Sequence, residues 1–279
     1  MNSGSGNLWR EQVMAIMRLE IKKNFLARRG LWIYLLALAP VLLFTGHSFE
    51  RLRHGRVCDL GQDNLIFATV FQFFFLRLAV FFGCVGVFMN LFRGEMLEKS
   101  LHYYLLTPVR REVLLAGKYL SGVVTTVVIF GTSAALSLAG LYWHIHPQVV
   151  RQYLLEGGGL EHVAAYLGIT ALACIGYGGV FLLMSFLFNN PMIPAAIVLV
   201  WEGLNPFLPA ALKKISVIFY LQSLCPLEAP LRSKWAFLAI TATGTPPYLA
   251  VPGLLLVTLA GLYIAARKVR KLEINYGAE

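Results

Sequence analysis

Two ionisable side chains stand inside long apolar blocks of this 279-residue chain: Arg77, within 65–90, and Glu202, within 191–204. A bare charge at the middle of a hydrocarbon layer costs roughly 2.5–3.5 kcal/mol on insertion scales, so such residues turn toward protein or an aqueous path. Counted at about 1.5 Å per residue from the ends of their blocks, both fall near the midplane. Two readings follow. The plain one is a structural ion pair between Arg77 and Glu202; the sharper one is a direct role in a solute pathway.

Other candidate chemistry is thinner. His47, His54, His144, His146 and His162 fall on or near one side of the chain's apolar blocks, beside Glu50, Asp59, Asp63, Glu156 and Glu161. Imidazole with carboxylate is a donor set for Zn or Cu. Yet no CxxC or HExxH accompanies them, and His144 and His146 share a face only in extended chain, so they read as interfacial or loop histidines and no metal site is assigned. Cys58 and Cys225 share that side and could form a disulfide, but spacing alone does not give their separation. Cys84 and Cys174 read as small core residues. Gly176, Gly178 and Gly179 suit close helix approach. A membrane-embedded enzyme should carry paired carboxylates or a Ser/His pair at depth; only Arg77 and Glu202 are there. Gly117-Lys118 is the chain's sole Gly-Lys pair, and a phosphate-binding loop needs glycine where Glu112 stands. No catalytic residue and no cofactor is assigned to this chain.

The elements that position these residues follow from composition. Hydrophobic residues make up 58% of the chain and charged residues 14%, where soluble domains carry about 45–50% and 25%. The apolar residues come in solid blocks, which excludes a soluble enzyme, a disordered tail and the alternation of a transmembrane barrel. Six blocks approach membrane-spanning length: 31–49, 65–90, 117–142, 163–188, 191–204 and 248–266. The fifth runs into Asn205-Pro206 and Pro209, and 205–226 reads as a short re-entrant or interfacial segment on the outer side, with a proline-rich loop at 227–247. The fold class is therefore an all-α integral membrane protein with six transmembrane helices.

Of the 24 Lys and Arg residues, 15 lie in the N-terminal piece, the 91–118 region and the tail after the last block, and 8 lie in the opposite loops. The positive-inside bias puts both termini and the 91–117 loop in the cytoplasm. It also explains the net charge of +10 without nucleic acid. The opening residues lack a charged leader before a short apolar core, so no cleaved signal peptide is expected.

Two cytoplasmic segments carry pattern. Over residues 8–29, Trp9, Val13, Met17, Ile21 and Phe25 recur at spacings of four, with Arg10, Arg18, Lys22 and Arg29 on the other face. That is a basic amphipathic helix suited to a membrane surface, either as a generic anchor or as an elbow leading into the first span of a transporter. The loop 93–122 opens with Glu95 and Glu98 and continues in an apolar stripe of Leu97, Leu101, Tyr104 and Leu105. Thr107-Pro108 then stops the helix. An apolar stripe on a cytoplasmic helix must press against something: its own bundle or another subunit.

In this order of features the chain resembles the membrane subunit of type-2 ABC-transporter permeases. The matching residues are Glu95 and Glu98, Leu105-Leu106, Pro108, Arg110-Arg111 and Gly117-Lys118; the usual Gly-Thr before the leucines is replaced by Lys99-Ser100. The resemblance implies an N-terminal elbow helix (1–30), a six-span permease domain (31–279), a coupling helix in the 93–116 loop and an outer re-entrant segment (205–226) before the last span. It implies a permease of an exporter in the cell membrane, with ATP and Mg held by separate ABC ATPase subunits and a second permease subunit, identical or not, completing the complex. Glu95, Glu98, Leu101, Tyr104, Leu105, Pro108 and Arg110 become the residues that couple to the ATPase. A non-transporting scaffold or accessory subunit is the alternative.

Overall fold

The structure, a computed structural model, describes residues 3–26, 30–54, 59–97, 109–188, 190, 192–227 and 245–270. Every regular element among them is helical. In chain order they are α1 (Ser3–Leu26), α2 (Leu31–His54), α3 (Leu60–Val70), a π-helical stretch (Phe71–Val80), α4 (Phe81–Leu97), α5 (Arg111–Tyr142), α6 (Pro147–Leu155), α7 (Gly159–Ser185), α8 (Met192–Gly203), a 3-10 turn (Asn205–Phe207), α9 (Ala210–Lys213), α10 (Val217–Ser223) and α11 (Pro247–Arg270).

Five rods are long and apolar enough to cross a membrane: Leu31–His54, Leu60–Glu95, Arg111–Tyr142, Gly159–Ser185 and Pro247–Arg270. They coincide with five of the six apolar blocks. The block at 191–204 differs, because α8 has only 12 residues and is about 18 Å long, against a hydrocarbon core of about 30 Å. Its early end has a local cause. Pro206 and Pro209 have no N–H to donate and disfavour α geometry in the residue before each of them, so the chain breaks into a 3-10 turn and the short α9 and α10.

The bundle is built around α5, of whose apolar window 67% is buried, while α2 and α11 bury only 28% and 22%. α1, α2 and α7 all pack on α5, and α4 and α11 pack on α7. The outer helices show the surface a lipid-solvated helix shows: Leu35 and Leu42 on α2, and Leu256 and Leu259 on α11, are each at least 60% exposed. α7 passes closely between two neighbours because of its glycines. A Cβ on Gly178 would lie 2.5 Å from Phe88 of α4, and one on Gly179 would lie 2.8 Å from Thr258 of α11. An aromatic column runs down the rod that holds Arg77: Phe67, Phe71 and Phe75 stack at 5.8 and 5.2 Å, with the Tyr166 ring edge-on to the first two.

Candidate functional site

The end of the bundle where α1 meets the start of α5 holds a network of ion pairs. Along α1, Val13, Ile16, Met17, Glu20, Ile21 and Phe25 are buried or half-buried. The apolar stripe read from sequence thus points inward from Val13 onward and packs on α5, while Trp9 at its start is 42% exposed. α1 comes this close because residue 117 is glycine; a Cβ there would meet Ile16 Cγ2 at 2.8 Å and the Val13 carbonyl at 3.3 Å. The next residue, Lys118, is fully buried. Its Nζ lies 2.7 Å from Glu20 Oε1 and 2.8 Å from Glu95 Oε1, and Lys23 Nζ lies 3.0 Å from that same Glu95 oxygen. Two carboxylates and two ammonium groups balance, which is the condition for keeping ions out of water. α1, the end of α4 and the start of α5 are joined by these four side chains.

The last spanning helix ends at the same place. Arg111 Nη1 donates to the carbonyls of Val269 and Arg270 at 3.1 and 2.9 Å. Arg111 thereby ties the start of α5 to the last described turn of α11. Arg270 in turn pairs with Glu112, and the Arg110 guanidinium sits over the Trp9 ring, 4.7 Å from its centroid.

Of the residues expected to couple to an ATPase, two are therefore engaged within the chain. Glu95 is 1% exposed, with its carboxylate turned into the bundle, where sequence alone suggested an outward-facing acid. The reason is Lys118, whose buried ammonium lies 2.8 Å from that carboxylate. Arg110 packs on α1. Glu98, Leu101, Tyr104, Leu105 and Pro108 lie outside the described residues.

At mid-span, Arg77 falls in the π-helical stretch, 17 residues from one end of the Leu60–Glu95 rod and 18 from the other. π-helical turns are rare and recur at functional sites. Arg77 and Glu202 act on each other electrostatically without a direct hydrogen-bonded contact. Glu202 is 4% exposed, and its carboxylate accepts from Ser216 Oγ at 2.9 Å and from the N–H groups of Val217 and Ile218 at 3.0 and 2.9 Å. It caps α10. Because α8 stops early, the chain doubles back and brings the start of α10 onto Glu202, so local donors satisfy the carboxylate. Arg77 has no hydrogen bond or ion pair to any described residue, and Nε is buried without a partner; its guanidinium lies 5.6 Å from the Phe73 ring centroid. Tyr177 of α7, completely buried, lies close to both Arg77 and Glu202.

The opposite end of the bundle gathers three of the noted residues. Asp63 is fully buried. His47 Nε2 lies 3.3 Å and Arg51 Nη2 3.5 Å from its Oδ1, and His144 Nε2 lies 3.1 Å from its Oδ2. His144 Nδ1 is 2.9 Å from the Leu141 carbonyl and 3.1 Å from Ser48 Oγ. A carbonyl only accepts, so Nδ1 is the donor. Ser48 donates to the Gly140 carbonyl at 2.6 Å. The cluster ties α2, α3 and the far end of α5 together, with Arg51 as the cation at this carboxylate. Among the described residues no three His, Cys, Asp or Glu side chains form a metal-binding group. Cys225, just past α10, is a free thiol; Cys58 lies outside the described residues.

Sequence reasoning missed Glu20, Ser48 and Tyr177, and noted Lys118 only in its pairing with Gly117 and in the count of cations. A signal existed for the first: Glu20 is the acid on α1's otherwise apolar inward face, one turn beyond Ile16. No protein-family model matches the chain, and no curated protein is significantly similar to it.

Proposed function

We propose that this chain is the permease subunit of an ATP-binding-cassette transporter, an exporter, driven by ATPase subunits carried on other chains. The observation that carries this reading is the network at the foot of α5, in which buried Lys118 joins buried Glu20 and Glu95 while the exposed Lys23 reaches Glu95 from outside. Only two residues past Glu95 the chain enters the stretch expected to hold the coupling helix. A force applied there reaches α1 and α5 through short ion pairs in a dry environment, where electrostatic contacts are stiff and strong. A mere anchor does not require such a joint.

In this reading both termini and the 93–116 loop face the cytoplasm of a cell-membrane protein, and α1 serves as the elbow helix. α8 with the broken 205–226 segment completes a sixth passage, since two cytoplasmic ends require an even number of crossings. Glu98, Leu101, Tyr104, Leu105 and Pro108 form the surface that docks on the ATPase, while Glu95 and Arg110 hold that surface in place. ATP and Mg bind on the partner. Closure of two ATPase subunits pushes the coupling helices of this chain and of a second permease subunit, and the spans swing between inward- and outward-open arrangements. The test is purification of the tagged chain from its native membranes in mild detergent. A P-loop ATPase should accompany it in stoichiometric amount; a chain that purifies without one contradicts the reading.

A further inference from the structure

From an arginine-lined cavity where the start of α5 meets the end of α11, we infer that this protein holds the phosphate group of an anionic ligand there, with Arg110 and Arg270 as donors and Arg111 adding charge. The inference does not depend on the transporter reading. It needs only the apolar helices placed in a bilayer.

The cavity has a volume of about 370 Å³, opens to the surface and is lined by Arg110, Arg111, Glu112 and Arg270. Three guanidinium groups stand around one carboxylate, an excess of two positive charges among the described lining residues. The neighbouring network of Glu20, Glu95, Lys23 and Lys118 balances its charges; this cavity does not. Its one carboxylate is already taken, since Arg270 commits Nε and Nη2 to Glu112. Arg110 makes no hydrogen bond or ion pair to a described residue. The Trp9 ring, 4.7 Å from it, positions the guanidinium without supplying an oxygen acceptor, and a planar guanidinium fork matches phosphate oxygens. The surroundings favour a lipid as carrier of that phosphate. Leu256, Tyr263 and Arg270 recur every seven residues along α11, close to two turns, so they share one face. Leu256 is 68% and Tyr263 58% exposed. That face therefore runs from bare leucine, through the tyrosine typical of a membrane–water interface, to a cavity wall. An acyl chain lying along it brings its headgroup to Arg270, and basic pockets between spanning helices suit anionic headgroups.

The test needs no ATPase. The purified chain in neutral maltoside detergent is titrated, by microscale thermophoresis, with dioctanoyl phosphatidylglycerol and with dioctanoyl phosphatidylcholine, whose phosphate is offset by a fixed cation. Wild type should bind the anionic lipid about tenfold more tightly, as charge-assisted contacts predict. Arg110→Gln should cut that preference about threefold, and Arg110→Gln with Arg270→Gln should abolish it. Arg53→Gln, which removes an exposed arginine at the opposite end of the bundle, should leave it unchanged. Glu112→Gln removes the one carboxylate and should strengthen binding of the anionic lipid about threefold, a gain that misfolding cannot mimic. Glycerol 1-phosphate separates the sources: displacement of the lipid at equal concentration supports a free phosphate ester, and retention of the lipid supports a headgroup. No preference in wild type, a preference unchanged in the double variant, or an equal loss in Arg53→Gln overturns the inference. Should the double variant fail to fold, an unchanged preference in Arg110→Gln with no gain in Glu112→Gln overturns it as well.

Discussion

Lys118 of α5 and Glu20 of α1 meet at 2.7 Å across the base of the bundle, and neither side chain is more than 2% exposed. Buried ions are stable only in company, and removing one partner of such a pair costs on the order of 3–5 kcal/mol. Lys118→Met should therefore lower the folded fraction and the melting temperature sharply, since it removes the ammonium group that Glu20 and Glu95 share. The double change Lys118→Met with Glu20→Leu should recover part of the loss. Thermal melts monitored by fluorescence-detected size-exclusion chromatography distinguish these outcomes; losses that simply add mean the pair is not the joint.

Gly117 sets the distance that makes this pair possible. Valine there places a side chain against Ile16 Cγ2 and the Val13 carbonyl, an overpacking that costs about 1–3 kcal/mol. Ile16→Ala should relieve much of it, because Ile16 Cγ2 is the nearest obstacle. A Gly117→Val protein as stable as wild type contradicts the close approach of α1 to α5.

Glu202 caps α10 through direct hydrogen bonds, and makes none to Arg77. Glu202→Leu leaves the Ser216 hydroxyl and two N–H groups at the start of α10 without an acceptor, and each buried orphan costs about 1–3 kcal/mol. Adding Arg77→Leu should give no rescue. Recovery of stability in the double variant, measured by the same melts, restores the ion pair that the bare sequence suggests.

The spans were legible because about 20 consecutive apolar residues have few other readings; the blocks at 117–142 and 163–188 lie within a few residues of α5 and α7. The block at 191–204 misleads for the same reason. Apart from Glu202 it is apolar, and nothing in its hydropathy says that α8 ends at Gly203 after 12 residues. The π-helical stretch has no sequence signature at all. Lys118 illustrates the other limit. Counted among cytoplasmic cations, it supports the orientation, yet a charge tally cannot tell a solvated lysine from one buried between two glutamates of distant elements. His47, His144 and Asp63 were each noted for their chemistry, but only the fold brings them onto one carboxylate.

The orientation has its own test. In a background lacking the natural cysteines, Ser100→Cys and Glu156→Cys should label from opposite sides with an impermeant maleimide, Glu156→Cys from outside intact cells. Glu156 is exposed just beyond α6, so access does not limit its labelling. Labelling of Ser100→Cys from outside reverses the topology.

The central claim is that the 93–116 loop carries the contact with a motor. The most direct measurement is vanadate-sensitive ATP hydrolysis by the complex purified from native membranes through this chain, compared between wild type and the double variant Tyr104→Ala with Leu105→Ala. Aromatic anchors at protein interfaces cost about 2 kcal/mol or more when truncated, so the wild-type preparation should hydrolyse ATP, and the variant, inserted and folded to the same level, should lose most of that activity with its ATPase. Wild-type hydrolysis in the double variant, or none in either preparation, contradicts the account.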